Sequence, residues 1–160
     1  MIILGIDPGL VKTGYGLIEI NENNCKVLDF GVVSPENKEK LSIRLRTIYN
    51  DISLIIDRYN PSILSIEEVF FGKNVKSALL LGHARGVAML SASNNNIPVF
   101  EYSARKIKQS VTGNGNAHKS QVSYMVMKQL GLNTVNCPSD ASDALAIALC
   151  HLNQIKLEEL

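Results

Sequence analysis

Four carboxylates occupy positions where three separate segments of the chain are expected to turn or to begin. Asp7 follows one apolar run, Glu67 ends another, and Asp140 and Asp143 open the last helical segment. Carboxylates that gather repel one another, so such a cluster is stable only when protons or cations neutralise it. Hard oxygen ligands from several elements suit Mg²⁺ or Mn²⁺, and two such ions can promote in-line attack on a phosphodiester.

Each of these acids also has an interpretation that requires no chemistry. The segment Asp7–Gly9 has the composition of a simple hairpin turn, and it also resembles the phosphate loop of actin-like ATPases and sugar kinases. Side chains alternate across a strand, so only one of Glu67 and Glu68 can face the same site as Asp7. Asp140 can cap the last helix and Asp143 can be an ordinary first-turn acid, although their spacing puts both on one helical face.

Three glycines near Asp7 predict that the backbone around this carboxylate is open. Gly9, Gly14 and Gly16 surround the end of the first apolar run. Glycine has no side chain to obstruct a ligand, so a phosphate or metal could approach the backbone closely there.

The middle of the chain is basic, whereas the four acids lie outside it. Residues 69–139 contain eight Lys and Arg residues and one acid, Glu101. A basic surface beside an acidic pocket suits a metal-dependent enzyme that acts on a polyanion, because lysines attract phosphates while the pocket holds cations. Chance clustering of surface lysines is the alternative. Lys108 or Lys119 could stabilise developing charge on a phosphate oxygen, and Phe70, followed by Phe71, could stack on an exposed base or close the core.

Five strands and five helices are predicted to position these side chains. The strands are expected at Ile2–Ile6, Thr13–Ile20, Cys25–Val33, Ile63–Glu67 and Pro98–Tyr102. The helices are expected around Leu41–Ile55 and at Val75–Ser93, Ala104–Val111, Lys119–Gly131 and Asp140–Gln154. Three hairpin-linked strands followed by alternating helix and strand predict an α/β fold with a mixed five-stranded sheet and helices on both faces.

The second predicted helix carries a stripe of small residues, Ala78, Gly82 and Gly86, spaced four apart. Glycine inside a helix costs about 1 kcal/mol relative to Ala, so a compensating close approach is expected. The approaching element is either the domain's own sheet or the same helix of a second subunit.

The composition indicates one globular domain spanning residues 1–160. The chain is 46% hydrophobic and 19% charged, which fits a folded core. No apolar run approaches the ~18 residues of a membrane span, and the N-terminus lacks the basic region of a signal peptide. Cys25, Cys137 and Cys150 form no closely spaced pair, so we expect reduced thiols in a cytoplasmic protein.

Motifs along nearly the whole chain resemble, in order, those of the RuvC family of Holliday junction resolvases. They include Gly5–Gly9, Ile66–Phe70, Ala84–Gly86, His118–Val122 and Asp140–Ala146. The resemblance implies a ribonuclease H-like fold and a homodimer that makes paired, symmetric nicks in four-way DNA junctions during homologous recombination and DNA repair. It also implies Mg²⁺ as the cofactor, with Mn²⁺ as a substitute and two ions per subunit, 5′-phosphate products, and the RuvA and RuvB branch-migration complex as a partner.

The resemblance also assigns roles to individual residues. The metal-binding catalytic acids would be Asp7, Glu67, Asp140 and Asp143, the active-site lysines Lys108 and Lys119, and the aromatic that stacks on junction bases Phe70. The other basic residues that we expect to contact DNA are Lys73, Lys76, Arg105 and Lys106. Glu68 has no implied role. The short stretch after the last helix predicts that the basic C-terminal tail of some members is missing, which concerns DNA affinity rather than catalysis.

Three other functions fit parts of this pattern. An actin-like ATPase needs two similar lobes and a second glycine-rich phosphate loop, whereas 160 residues supply one lobe. A non-catalytic junction-binding protein would bind four-way DNA equally well without metal and would never nick it. A related nuclease of the same fold would act on structured RNA in preference to junction DNA.

Overall fold

A computed structural model describes residues 1–21, 24–68, 74–132 and 136–158 of the chain. Its strands are β1 (Ile2–Asp7), β2 (Thr13–Asn21), β3 (Asn24–Val33), β4 (Ile63–Glu67) and β5 (Val99–Tyr102). Its helices are α1 (Leu41–Tyr59), α2 (Val75–Asn94), α3 (Ala104–Thr112), α4 (Lys119–Leu130) and α5 (Ser139–Glu158). The predicted elements are all confirmed, and their ends differ from the prediction by a few residues.

The five described strands form one mixed sheet in the order β3-β2-β1-β4-β5. β1 pairs antiparallel with β2, as β2 does with β3. β4 pairs in parallel with both β1 and β5. The predicted mixed five-stranded sheet is therefore confirmed, and β1 lies at its centre.

Helices cover both faces of the sheet, as predicted. Alternation along β2 sends Ile18 into a core with α3, α4 and α5, whereas Leu17 enters a second core with α1 and α2. Both side chains are fully buried. Side chains that alternate in this way need an apolar layer on each side of the strand.

Helix α5 is the most deeply buried helix of the structure. Every residue from Ala144 to Leu152 is buried, because the helix packs against β1, β2 and β4. One polar contact fixes this packing, since the buried Ser65 hydroxyl donates a hydrogen bond to the Ile147 carbonyl oxygen at 3.0 Å. A buried hydroxyl requires such a partner.

The small-residue stripe of α2 faces away from the sheet. Ala84, Ala88 and Ala92 supply the buried face of α2, whereas Gly82 and Gly86 are exposed. Beyond the neighbouring backbone of α2 itself, a Cβ atom added at either glycine would meet no atom of the described residues within 4 Å. The sheet is therefore not the element that approaches this stripe.

No helix of the described residues combines enough length with enough apolar character to cross a bilayer.

Candidate active site

Asp7 and Glu67 lie at the ends of neighbouring parallel strands. The parallel pairing of β1 with β4 runs from Ile3–Ile63 to Ile6–Ile66, so both strands end at the same edge of the sheet. Asp7 and Glu67 are the last residues of β1 and β4 and are partly buried. Glu68, by contrast, is exposed, as the alternation of side chains along a strand predicts.

The turn after Asp7 is fixed by a side chain from β2. The buried Thr13 hydroxyl donates a hydrogen bond to the Gly9 carbonyl oxygen at 2.7 Å, and it accepts one from the Gly9 amide at 3.3 Å. This reciprocal pair closes the turn, so the direction in which Asp7 leaves β1 is well determined.

Asp140 and Asp143 reach the same edge because α5 packs directly on the backbone of β1 and β2. A Cβ at Gly14 would overlap the Asp140 carbonyl oxygen, and a Cβ at Gly5 would overlap that of Ala144. At Gly16 it would lie 2.7 Å from the Leu145 side chain. The glycines therefore allow helix and sheet to approach closely.

The prediction that the glycines leave the backbone around Asp7 open is wrong. The spaces beside Gly14 and Gly16 are filled by α5, and the space beside Gly9 is filled by the Lys12 backbone. Gly14 and Gly16 serve the site indirectly, because the close approach of α5 brings Asp140 and Asp143 towards Asp7.

The electrostatics of the site show that the four carboxylates act on one another. Burial, followed by repulsion from Asp143, Glu67 and Asp140 in that order of importance, raises the pKa of Asp7 to about 7. Burial followed by repulsion from Asp143 also raises the pKa of Glu67. A carboxyl group has a pKa near neutrality when nearby positive charges do not compensate the cost of its negative charge.

Two lysines provide part of that compensation. The Lys119 ammonium group lies 2.5 Å from an Asp143 carboxylate oxygen, and this hydrogen bond raises the pKa of Lys119. Lys108 and Lys119 both lower the pKa of Glu67. Glu67, Asp143, Lys108 and Lys119 together line a cavity of about 300 Å³, whose floor is apolar.

The donor set fits a hard divalent cation in its chemistry, although the side chains are not arranged as a closed coordination sphere. Within the described ranges, no three Asp, Glu, His or Cys side chains are grouped closely enough to hold a metal ion as they stand. The four acids nevertheless offer only oxygen donors, which Mg²⁺ prefers. A bound cation would relieve the repulsion that raises the pKa of Asp7, and Lys119 supplies such a positive charge at Asp143.

None of the described residues predicted to contact DNA lines this cavity. Phe70 and Lys73 lie outside the described residues. Lys76 is exposed in the first turn of α2, and Arg105 is exposed on α3. Lys106 is also exposed, but it lines a different groove of about 440 Å³ between α3 and the end of α5.

One pair of residues at the site was not predicted from the sequence. The Arg85 guanidinium donates through Nε to the Glu67 carbonyl oxygen at 3.1 Å and forms an ion pair with Glu101. In the sequence these two residues stand out only as members of family-like motifs and as charges. Glu101 is the one acid in residues 69–139. This isolation among basic residues is the sequence feature that could have indicated its ion pair.

The mixed sheet, its flanking helices and its acidic edge define the class of ribonuclease H-like nucleases. A sequence model of the family described as crossover junction endodeoxyribonuclease RuvC matches residues 3–151. The chain is 50% identical over 160 residues to the protein of that description from Alkaliphilus oremlandii, covering 100% of this chain and 98% of the relative. It is 45% identical over 160 residues to the one from Ruminiclostridium cellulolyticum, covering 100% and 96%.

A solved structure gives the same result. The chain superposes on T. thermophilus RuvC in complex with Holliday junction substrate with a TM-score of 0.92 and 31% identity, covering 99% of this chain and 96% of that one. The chain therefore belongs to the RuvC family of crossover junction endodeoxyribonucleases. This confirms the predicted family, the ribonuclease H-like fold and the enzyme class, and nucleases of this family are metal-dependent.

Proposed function

We propose that this chain, as a single domain spanning residues 1–160, resolves four-way DNA junctions by paired symmetric nicks during homologous recombination and repair in the cytoplasm. The observation that carries the proposal is the mutual repulsion of four carboxylates from three elements, which helps to raise the pKa of Asp7 to about 7. Such a cluster lowers the stability of the folded protein, and cation binding would explain why these acids are nevertheless placed together.

In this proposal Asp7, Glu67, Asp140 and Asp143 hold two Mg²⁺ ions per subunit, and Mn²⁺ can replace Mg²⁺. When bound, these ions supply an activated water and charge stabilisation for the leaving 3′-oxygen. The products are 5′-phosphate and 3′-hydroxyl ends that a ligase can seal. The protein orients the acids through strand ends and one buried helix, which are rigid supports for such a site.

Lys108 and Lys119 act on the phosphate rather than on the cations. Both line the cavity next to Glu67 and Asp143, so their ammonium groups can bind the non-bridging oxygens of the scissile phosphate. They would stabilise the negative charge that develops as the bond breaks.

The DNA-binding surface that we propose extends from this cavity over α2 and α3. Lys76, Arg105 and Lys106 are exposed and would bind phosphates of the junction arms, which fixes position without reading sequence. Lys73 would do the same, and Phe70 would stack on an unpaired base at the branch point.

The second subunit is proposed to bind along the open face of α2. A Cβ at Gly82 or Gly86 would meet no atom of the other described elements within 4 Å, and Val75, Leu79 and Leu90 on α2 are exposed. Two copies of this face related by a two-fold axis would bury these side chains against one another. A dimer of this kind presents two active sites to strands of the same polarity, and RuvA and RuvB are the proposed branch-migration partners.

The first test compares cleavage of a labelled four-way junction and a linear duplex of the same sequence, each with Mg²⁺ and with EDTA. We expect paired, ligatable nicks only in the junction with Mg²⁺. Asp7→Asn should lower the cleavage rate by at least about 1000-fold, because it removes a metal ligand, while junction binding is unchanged or tighter. Asp57→Asn is the control, since Asp57 is exposed on α1, and it should cleave normally.

Three outcomes would contradict this function. Undiminished nicking by Asp7→Asn would exclude the acidic edge as the active site. Tight junction binding without any cleavage would favour a non-catalytic junction binder. Preferential cleavage of structured RNA in a competition assay would identify a different nuclease of the same fold.

A further inference from the structure

Arg85 connects α2 and β5 to the catalytic end of β4. Its Nε atom donates a hydrogen bond to the main-chain oxygen of Glu67 at 3.1 Å, and its terminal nitrogen forms an ion pair with Glu101 on β5. The Arg85 side chain is 19% exposed, whereas that of Glu101 is 40% exposed. The guanidinium group is thus held from two sides while it contacts the backbone of Glu67.

The Glu67 carbonyl lies where the sheet supplies few donors. The pairing of β1 with β4 ends at Ile6–Ile66, and the residue after Asp7 is Pro8, which has no amide hydrogen. On the other side of β4, the Glu68 amide donates to the Tyr102 carbonyl oxygen at 2.9 Å. Arg85 therefore holds the last peptide of β4 at the point where ladder pairing with β1 has stopped.

We propose that Arg85 is a positioning residue for Glu67, and that Glu101 orients its guanidinium group. This inference rests on the nuclease function proposed above, in which Glu67 is a metal ligand. Rotation of the Glu67 peptide swings its carboxylate relative to Asp7 and Asp143, so fixing the carbonyl fixes the ligand. Groups that orient a ligand in this way affect metal affinity and rate without touching substrate.

The test uses two variants that separate the hydrogen bond from the charge. Arg85→Met removes the donor and keeps an unbranched side chain. Arg85→Gln removes the charge but places an amide N–H as many bonds from the backbone as the Arg Nε. Arg46→Gln, at an exposed position on α1, is the control for losing one positive charge.

Three quantities are measured for each variant: hydrogen exchange of the Glu68 amide, Mg²⁺ binding by calorimetry without DNA, and the single-turnover cleavage rate at saturating junction. For Arg85→Met we expect faster exchange and a loss of about 10- to 100-fold in Mg²⁺ affinity and in rate. Junction affinity in EDTA should change less than about twofold, because Arg85 is not proposed to touch DNA. Arg85→Gln should recover most of each loss, and Glu101→Gln should show a smaller loss of the same kind.

The inference is overturned if Arg85→Met matches the wild type in exchange and Mg²⁺ affinity. It is also overturned if Arg85→Gln is as impaired as Arg85→Met, because the charge and not the hydrogen bond would then matter. Exchange and calorimetry give these answers without cleavage, so nicking by Asp7→Asn would contradict the proposed function separately.

Discussion

Glycines serve opposite purposes in two regions of this molecule. On β1 and β2, Gly5 and Gly14 lie against the backbone of α5, where a Cβ would overlap carbonyl oxygens. On α2, Gly82 and Gly86 face open space. The first pair is explained by the folded monomer, because only glycine permits the approach of α5. The second pair has no such explanation among the described residues, and this difference supports the proposal that α2 binds a second subunit.

The largest expected loss of stability comes from placing a methyl group in the tight contact between β2 and α5. Gly14→Ala should destabilise the protein by about 3 kcal/mol, since the backbone of α5 must move to admit a methyl group. It should also slow junction cleavage by about 100-fold, because a shift of about 1 Å in the Asp140 and Asp143 backbone misplaces catalytic groups. Denaturant unfolding and single-turnover cleavage measure the two effects, and unchanged values for both would remove the contrast between the two regions.

A large residue in the open region should act on assembly instead of folding. We expect Gly82→Leu to shift the protein from dimer to monomer in sedimentation experiments, because a Leu side chain would separate two helices packed through small residues. The unfolding midpoint of the dilute monomer should not fall. A dimer that tolerates the substitution would place the subunit interface elsewhere.

The edge of the sheet where α5 meets β1 also carries a charge penalty, at Asp7. Between about pH 4 and pH 7 the folded protein keeps a proton on Asp7 that the unfolded chain has released, because the pKa of Asp7 is raised to about 7. Wild-type stability without metal therefore falls as pH rises through this window. Asp7→Asn should be more stable than the wild type by on the order of 4 kcal/mol at pH 8, with no difference below pH 4.

Thermal unfolding in EDTA across this pH range measures that difference. Saturating Mg²⁺ should raise the melting temperature of the wild type at pH 8 and leave that of Asp7→Asn nearly unchanged, because binding to the native state stabilises it. A pH-independent difference between the two proteins would mean that Asp7 does not titrate in this range.

The smallest expected effect is that of a methyl group on α2, and it tests the contrast between the two glycine regions most directly. Gly82→Ala places in the open region the same methyl group that Gly14→Ala places in the closed one. Because the methyl group meets no atom there, the helix propensity of Ala should stabilise the monomer by about 1 kcal/mol. Denaturant unfolding at low protein concentration measures this gain, and a loss of stability would show that the face is covered within the monomer.

The fold and the places of the four acids at strand ends and near the start of α5 could be predicted from the sequence because they depend on local patterns. Period-two and period-3.6 repeats identify strands and helices, and carboxylates at strand ends such as Asp7 and Glu67 follow from the strand assignment. The contact of α5 with Gly14 could not be predicted in this way, since it joins residues about 125 positions apart in the chain. The partnership of Arg85 with Glu67 and Glu101 likewise depends on how α2 lies across β4 and β5, which no local pattern specifies.

The contact between Lys119 and Asp143 makes cation binding at this site an exchange rather than a simple uptake. An ion that coordinates the Asp143 oxygen now paired with Lys119 would displace the ammonium group from it. The displaced charge would remain tethered to α4 beside the cavity, where a DNA phosphate would lie. Loading the site would therefore add the charge of the ion and also free the ammonium group for a phosphate, so the ion and the nucleic acid would favour each other's binding.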